Sequence, residues 1–244
     1  MTDIEATKFY IRHREGYPET ELQDYARRGF WTFGIETAIF EWIDDIDAFE
    51  DLSPTVGVAG YIGDVHRGLT KLNKPIPVNV DYPKVLSEFL GRKIWEGNLE
   101  EVRASIYPLF VKPREHKAFT GFVWNADRES RMRIVTQHDD CPVWIAEPVN
   151  FISEYRSFIL HGKVIDCRRY KGDWSKAPNR DIVENAVKAM DKDPLDAYSL
   201  DWGVTDDGRT LLVEQNEGFA LGHYGLPPTL YARMLSARWH QMTK

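Results

Sequence analysis

The 244-residue sequence predicts an α+β protein. In the first 80 residues, short apolar strands alternate with helical segments, which is typical of an α/β unit. In the second half, two turn signals each join a pair of strand-like runs, and this predicts antiparallel hairpins. These turns lie at His161-Gly162 and Asp206-Asp207-Gly208. We therefore expect an N-terminal α/β subdomain at residues 1–80 and a longer α+β domain at residues 81–244.

The composition argues against several classes of protein. Hydrophobic residues make up 43% of the chain, and 31 basic against 38 acidic residues give a net charge of −7, which disfavours a nucleic-acid partner. The N-terminus is charged where a signal peptide is apolar, and no run approaches the roughly 18 apolar residues of a membrane span. Two cysteines are too few for a disulfide scaffold. We expect a cytoplasmic protein without a membrane partner; its oligomeric state is not encoded in any recognisable pattern.

The N-terminal subdomain is expected to contain strands at 8–12, 36–42 and 55–61, with helices at 20–29 and 63–72. The strand segments are short apolar runs, and Gly29 stops the first helix. Pro75 and Pro77 then mark the connection to the next unit. Helices are expected next at 82–91 and at 98–105, where Asn98 is a candidate N-cap.

A lysine near the middle of the chain is a candidate anion-binding residue. The apolar run 107–113 predicts a strand that carries Lys112 just before a proline. A buried ammonium needs an anionic partner such as phosphate, although a surface lysine on an edge strand is an equal alternative. The loop that follows, with Lys117, Thr120 and Gly121, is suited to folding over a phosphate.

Basic residues gather on the first predicted hairpin. Strands at 142–148, 154–160 and 163–170 precede a helix at 181–190. Across an even-length turn, Glu154 is expected opposite Arg169 and Arg156 opposite Cys167, so that alternation places Glu154, Arg156, Arg169 and Lys171 on one face. Such a set predicts an anion site. The alternative is a surface Arg169–Glu154 pair worth about 0.5 kcal/mol.

The second hairpin brings acidic side chains together. An even-length turn sets Asp201 opposite Glu214, Ser199 opposite Asn216, Trp202 opposite Val213 and Thr205 opposite Thr210. Facing carboxylates destabilise a strand pair unless a positive charge lies between them. Their oxygen ligands suit Mg²⁺. The alternatives are a raised pKa for one carboxylate, or solvent exposure of both on an edge. A helix is expected at 227–242.

The order of these parts resembles the ATP-grasp superfamily, and within it the clade named for its two arginines and one lysine. The resemblance runs from about Tyr107 to Tyr224. It rests on the strand-borne Lys112, the segment IAEPVNFISE, and the hairpin with Asp201 and Glu214-Gln215-Asn216. It implies an ATP-grasp fold, in which an N-terminal α/β subdomain precedes two α+β subdomains that sandwich ATP.

The resemblance also implies a role for each candidate residue. Nucleotide would be bound by Lys112 and Lys117 at the phosphates, Glu147 and Val149 at the adenine, and Glu154 at the ribose hydroxyls. Mg²⁺ would be held by Asp201, Glu214 and Asn216. The catalytic set near the γ-phosphate and the substrate carboxylate would be Arg156, Arg169 and Lys171.

The activity implied by the resemblance is ATP- and Mg²⁺-dependent ligation of a carboxylate to an amine or thiol through an acyl phosphate. The substrates would be small-molecule or peptide carboxylates and amines. Two rival functions are a phosphotransferase and a degenerate nucleotide-binding protein. The second rival is favoured by the segment REHKAFTG at 114–121, which lacks the serine-rich and glycine-rich character of many phosphate loops in the family.

Overall fold

The computed structural model describes residues 4–14, 20–78, 80–114, 118–192 and 194–244. The chain forms two compact units. The first unit comprises Met1–Phe89, Ile152–Val204 and Gly208–Lys244, and the second comprises Leu90–Phe151 and Thr205–Asp207. The division at residues 80 and 81 stays a prediction.

The strands of the described residues number 11. They are β1 (Lys8–Arg12), β2 (Glu36–Phe40), β3 (Val56–Ala59), β4 (Ile94–Asn98), β5 (Leu109–Pro113), β6 (Phe122–Trp124), β7 (Pro142–Ala146), β8 (Ser153–Leu160), β9 (Lys163–Gly172), β10 (Ala197–Val204) and β11 (Thr210–Glu217).

Six α-helices and three short 3₁₀ helices accompany them in the same residues. The α-helices are α1 (Thr20–Thr32), α2 (Ile62–Lys71), α3 (Leu99–Ala104), α4 (Arg128–Arg133), α5 (Arg180–Ala189) and α6 (Pro228–Thr243). The 3₁₀ helices are Ile43–Ala48, Lys84–Phe89 and Met190–Lys192. Within the described residues, none of the helices combines the length and the apolar character needed to span a membrane.

A three-stranded parallel sheet in the order β2-β1-β3 forms the N-terminal part of the first unit. In its central strand, β1, half-buried and buried residues alternate, and Phe9 and Ile11 are almost fully buried. Phe9 stacks on Phe30 of α1 at 4.2 Å, and α6 contributes Trp239 to the same core. The indole N–H of Trp239 donates to the carbonyl of Ser53 at 2.9 Å, which ties α6 to the loop before β3.

A four-stranded antiparallel sheet in the order β11-β10-β8-β9 completes the first unit. Every residue of β10 is buried, as is nearly every residue of β8, so both faces of these central strands are covered. On one face Phe158 and Leu160 join the core that contains α6. The polar residues that remain buried in these strands are therefore candidates for a functional role.

The second unit is built on an antiparallel sheet in the order β4-β7-β5-β6. Val111, Val143 and Ile145 point into one core with Leu99 of α3 and Trp124 of β6. The predicted N-cap is confirmed, because the Asn98 side chain accepts a hydrogen bond from the backbone N–H of Glu101 at 3.0 Å. The opposite face of this sheet carries Lys112.

The predicted α+β class is confirmed, with local differences. The segment 82–91 contains a 3₁₀ helix rather than an α-helix, because the N–H of Leu86 bonds to the carbonyl three residues earlier, at Pro83 (2.9 Å). Strand β4 and helix α4 were not predicted. β4 contains Glu96 and Gly97, which are poor strand formers, and its pairing with β7 overrides that preference.

Candidate functional site

The acidic hairpin has the predicted pairing where the candidate ligands lie. Asp201 on β10 is directly opposite Glu214 on β11, and Ser199 is opposite Asn216. Side chains that face each other across an antiparallel pair lie on the same face of the sheet. The hairpin therefore brings two carboxylates and one amide together.

The turn between β10 and β11 spans residues 205–209, an odd number, and a β-bulge restores the pairing of Asp201 with Glu214. Trp202 lies opposite Leu212 and Val204 opposite Thr210, so the predicted Trp202–Val213 and Thr205–Thr210 pairs are wrong. The register shifts between Asp201 and Trp202, where Val213 is the extra residue of β11. The bulge offsets the odd turn and keeps Asp201 facing Glu214.

Asp201 forms a buried ion pair with Arg156 of the neighbouring strand β8. The Arg156 Nε and Nη2 atoms donate to Asp201 Oδ1 and Oδ2, each at 2.7 Å. Arg156 is 6% exposed and Asp201 3% exposed. Burial alone would lower the pKa of Arg156, but the paired Asp201 carboxylate outweighs it and raises that pKa. Arg156 is therefore charged, and Asp201 is fixed in orientation by two parallel hydrogen bonds.

Asn216 connects the two carboxylates. Its Nδ2 atom lies 3.4 Å from Asp201 Oδ2 and 3.2 Å from Glu214 Oε1. Rotating the Asn216 amide by half a turn would place its Oδ1 atom where Nδ2 lies. Asp201, Glu214 and Asn216 would then offer three oxygen ligands. Within the residues that the structure describes, no group of three or more His, Cys, Asp or Glu side chains could hold a metal ion. Two carboxylates and an amide still fit Mg²⁺, which keeps several waters and binds through one or two carboxylates plus substrate phosphates.

The basic face of the first hairpin differs from the prediction. Arg156 lies opposite Arg168 and Glu154 opposite Lys171, so the predicted Glu154–Arg169 and Arg156–Cys167 pairs are wrong. Two irregularities, one at Phe158/Ile159 and one at Glu154/Tyr155, each add a residue to β9 and shift the register.

Arg168 therefore lies on the face predicted for Arg169, in the position opposite Arg156 that was predicted for Cys167. Arg169 lies opposite Tyr155, on the other face from Arg156, and its guanidinium donates to the carbonyl of Gly172 at 2.7 Å. Arg168 faces Arg156 and pairs with Asp166, whose Oδ2 accepts from its Nε at 2.8 Å and lies 2.7 Å from its Nη2. The structure thus corrects the placement of one predicted catalytic residue.

Each basic side chain on this face has an acidic partner. Lys171 Nζ lies 2.5 Å from Glu154 Oε1, and the Arg156–Asp201 and Arg168–Asp166 pairs complete the set. Lys171 and Glu154, both predicted site residues, are thus in direct contact. The face is a row of ion pairs rather than an excess of positive charge.

Two tyrosines at this face were missed by the sequence reasoning. The Tyr170 hydroxyl donates to Glu154 Oε2 at 3.1 Å, and its ring stacks on Tyr224 at 4.9 Å between centroids. Burial raises the pKa of Tyr170, and the negative charges of Asp201 and Glu154 raise it further, so Tyr170 keeps its proton. The irregularity in β9 turns Tyr170 toward this face, and such a bulge leaves no plain sequence signal. Tyr224 had one signal, an aromatic residue between Gly222 and Gly225.

The remaining predicted nucleotide-binding residues belong to the second unit. Lys112 is half-buried on β5 opposite Trp144. Glu147 is exposed, and its carboxylate accepts a hydrogen bond from the backbone N–H of Lys93 at 2.8 Å. Val149 is half-buried in the segment after β7, and Lys117 lies outside the described residues. The roles of these four residues in nucleotide binding stay predictions.

The chain combines one parallel sheet with two antiparallel four-stranded sheets, one of which contains the acidic hairpin, and it matches the model of an ATP-grasp domain. The chain belongs to the ATP-grasp superfamily, in the clade named for its two arginines and one lysine, because the model of the ATP-grasp domain of that clade's family 2 matches residues 89–234. Solved structures share the fold. D-cycloserine synthetase DcsG gives a TM-score of 0.62 at 13% identity, covering 95% of this chain and 99% of that one.

Two further structures illustrate the range of similar proteins. D-alanine–D-alanine ligase from Bacillus anthracis gives a TM-score of 0.58 at 13% identity, with 97% of this chain and 96% of that chain covered. A RiPP-associated ATP-grasp ligase from Chryseobacterium gregarium, in complex with ADP and a leader and core peptide, gives 0.55 at 13% identity and 95% coverage of both chains. At these identities the likeness concerns the fold. No sequence among curated proteins matches the chain.

Proposed function

We propose that this protein is an ATP- and Mg²⁺-dependent ligase that forms a C–N bond and releases ADP and phosphate. Its family makes it an ATP-dependent carboxylate–amine ligase by class. The observation that carries the finer proposal is the convergence of Asp201, Glu214 and Asn216 on one hairpin, with Arg156 paired to Asp201. Oxygen ligands of this kind suit a hard divalent cation that carries phosphates.

Asp201, Glu214 and Asn216 would hold the Mg²⁺. Bound there, the ion would offset negative charge on the ATP phosphates. Arg156 supports this role from the protein side, because its two hydrogen bonds fix the direction of the Asp201 carboxylate. Fixing the ligand before the nucleotide arrives lowers the reorganisation needed during the reaction.

The proposed reaction has two balanced steps. A carboxylate oxygen attacks the γ-phosphorus of ATP, the bond to the β-γ bridging oxygen breaks, and ADP leaves. An amine then attacks the acyl carbon, phosphate departs with the bonding electrons of the C–O bond, and the nitrogen loses a proton. Negative charge develops on oxygen in both steps, so nearby cations and positioning supply the catalysis.

Basic side chains of this chain are the proposed source of that positive charge, and Arg168 and Lys171 are each paired with a carboxylate. Lys171 and Arg168 lie on the face that also carries Asp201, and Lys112 is proposed to contact the ATP phosphates. Lys171 is held by Glu154, the proposed ribose ligand, so nucleotide binding is expected to rearrange this pair. No side-chain nucleophile is needed.

The substrates are proposed to be a small-molecule or peptide carboxylate and an amine. The solved structures of the same fold include a D-cycloserine synthetase, a D-alanine–D-alanine ligase and a ligase bound to a leader and core peptide. We place the reaction in the cytoplasm, where ATP is available.

Hydroxylamine trapping tests the proposal. Incubation with ATP, Mg²⁺, hydroxylamine and a panel of amino acids and peptides should release ADP and give a hydroxamate with one of them. Glu214→Gln should reduce ADP release by about 100-fold, since a cation ligand is lost. The matched control is Glu50→Gln, an exposed glutamate outside the site, which should retain full activity.

The products distinguish the rival functions. ADP release with a phosphorylated product and no hydroxamate would identify a phosphotransferase. Nucleotide binding without ADP release across the whole panel would identify a binding protein. Full activity of Glu214→Gln would refute the metal-site assignment.

A further inference from the structure

The segment that follows β11 is fixed to the first unit at several points. Leu221 and Leu226 are buried in its core. The hydroxyl of Tyr231, itself buried in α6, donates to the carbonyl of Leu221 at 3.0 Å. The His223 ring stacks on Tyr25 at 3.8 Å. The position of the intervening residue, Tyr224, is therefore set by contacts on both sides of it.

Tyr224 has an unfavourable backbone conformation. Its φ is 44°, in the left-handed region where a side chain on Cβ is disfavoured, and the next residue, Gly225, has φ 88°. A glycine would adopt the conformation of Tyr224 without strain. Strain that a glycine would remove indicates that the side chain itself has a role.

The Tyr224 ring covers the guanidinium of Arg156. The Arg156 Cζ atom lies 4.9 Å from the ring centroid, within cation–π distance. The same ring stacks on Tyr170 at 4.9 Å with an interplanar angle of 24°. Gly222 leaves room for the Tyr224 ring, because a Cβ atom at position 222 would lie only 3.3 Å from that ring. The Gly222 carbonyl also accepts a hydrogen bond from Arg156 Nη1 at 3.3 Å.

A packing role alone does not account for Tyr224. Tyr224 is 44% exposed, whereas the aromatic residues of the core are almost fully buried. Its ring contacts Arg156, which holds the proposed metal ligand Asp201, and Tyr170, which holds the proposed ribose ligand Glu154. One exposed ring therefore packs against the partners of both Asp201 and Glu154.

We propose that Tyr224 is a positioning residue for the divalent cation. Its ring restricts the Arg156 guanidinium to the orientation in which two donors meet both oxygens of Asp201, leaving Asp201 aimed at Glu214 and Asn216. This inference rests on the proposed function, because it assumes that these three residues hold Mg²⁺. Residues that orient metal ligands affect affinity even though they do not touch the metal.

Two substitutions at position 224 distinguish the contribution of the ring from the contributions of the hydroxyl and of the strained backbone. Tyr224→Phe keeps the ring and should behave as wild type. Tyr224→Gly removes the ring and relieves the backbone strain, so the fold should be retained. Tyr61→Ala is the matched control, because Tyr61 is a 38% exposed tyrosine whose ring also lies near an arginine, Arg12, at 5.8 Å.

The measurement is the rise in melting temperature caused by a non-hydrolysable ATP analogue at increasing Mg²⁺ concentration. It reports binding without requiring turnover. The Mg²⁺ concentration that gives half of the maximal increase in melting temperature should be about tenfold higher in Tyr224→Gly than in wild type. Tyr224→Phe and Tyr61→Ala should leave that concentration unchanged.

The outcomes separate the two proposals. An unchanged Mg²⁺ requirement in Tyr224→Gly, with wild type responding to Mg²⁺ and nucleotide, would overturn the role of Tyr224 and leave the proposed function standing. A lower melting temperature without nucleotide, at an unchanged Mg²⁺ requirement, would overturn it as well, since that result describes a purely structural residue. Absence of any Mg²⁺-dependent response in wild type would overturn both.

Discussion

At the residue scale, the most constrained feature is the buried pair of Arg156 and Asp201. A buried charge without its partner is strongly destabilising, whereas removal of both charges is often tolerated. Arg156 lies on β8 and Asp201 on β10, which are the two central strands of their sheet. Each of these strands is hydrogen-bonded to a neighbouring strand on both sides. Arg156 therefore has a structural role alongside the one proposed for the site.

This pair gives a prediction for stability. Arg156→Met should lower the free energy of unfolding by about 3–5 kcal/mol, because Asp201 would be left buried and uncompensated. The double variant Arg156→Met with Asp201→Asn should be less destabilised than Arg156→Met alone. Urea unfolding followed by circular dichroism measures both.

The neighbouring pair supplies the control for that experiment. Arg168 is 41% exposed in its side chain and pairs with Asp166, so Arg168→Met should lower the free energy of unfolding by about 1 kcal/mol or less. If Arg156→Met and Arg168→Met lowered the free energy of unfolding equally, burial of the Arg156–Asp201 pair would not determine the cost of breaking it.

At the element scale, strand register decides which side chains reach the site. The opposition of Asp201 and Glu214 was predicted from an even-length turn, and it is found although the turn is odd, because the bulge at Asp201/Trp202 restores the register. The positions of Arg168 and Tyr170 could not, because each depends on an extra residue in β9. Bulges are stabilised by contacts with neighbouring strands and loops, and a local sequence pattern does not record those contacts.

The corrected register gives a prediction for activity. Arg168→Gln should reduce kcat/KM for ADP release by about tenfold or more, since Arg168 faces Arg156 on the site face. Arg169→Gln is the matched control on the same strand and should remain within about twofold of wild type, because Arg169 faces away. The reverse order of effects would favour Arg169 as the catalytic residue, as the sequence predicts.

At the scale of the whole molecule, residues distant in sequence share one core. Phe9 from β1, Phe158 from β8 and Trp239 from α6 belong to the same cluster. The N-terminal sheet and the sheet that carries the acidic hairpin therefore stabilise one another within the first unit. A division of the chain at residues 80 and 81 would expose apolar surface on both fragments.

A fragment experiment tests that division. Residues 81–244 produced alone should bind a hydrophobic dye and lack a cooperative thermal transition, because Phe158 and Trp239 lose their partners. Addition of residues 1–80 as a separate chain should restore the transition. A fragment 81–244 that melts cooperatively near the wild-type temperature would instead establish the predicted subdomain boundary.

The attachment of α6 to the N-terminal sheet has a consequence for biosynthesis. Trp239 closes the core over Gly68 of α2 and bonds to the loop before β3, yet it is translated long after both. Strands β1, β2 and β3 are therefore synthesised before the helix that covers them, so their apolar side stays uncovered until α6 has been made. Chaperones that shield exposed apolar surface on emerging chains should consequently influence the yield of the first unit.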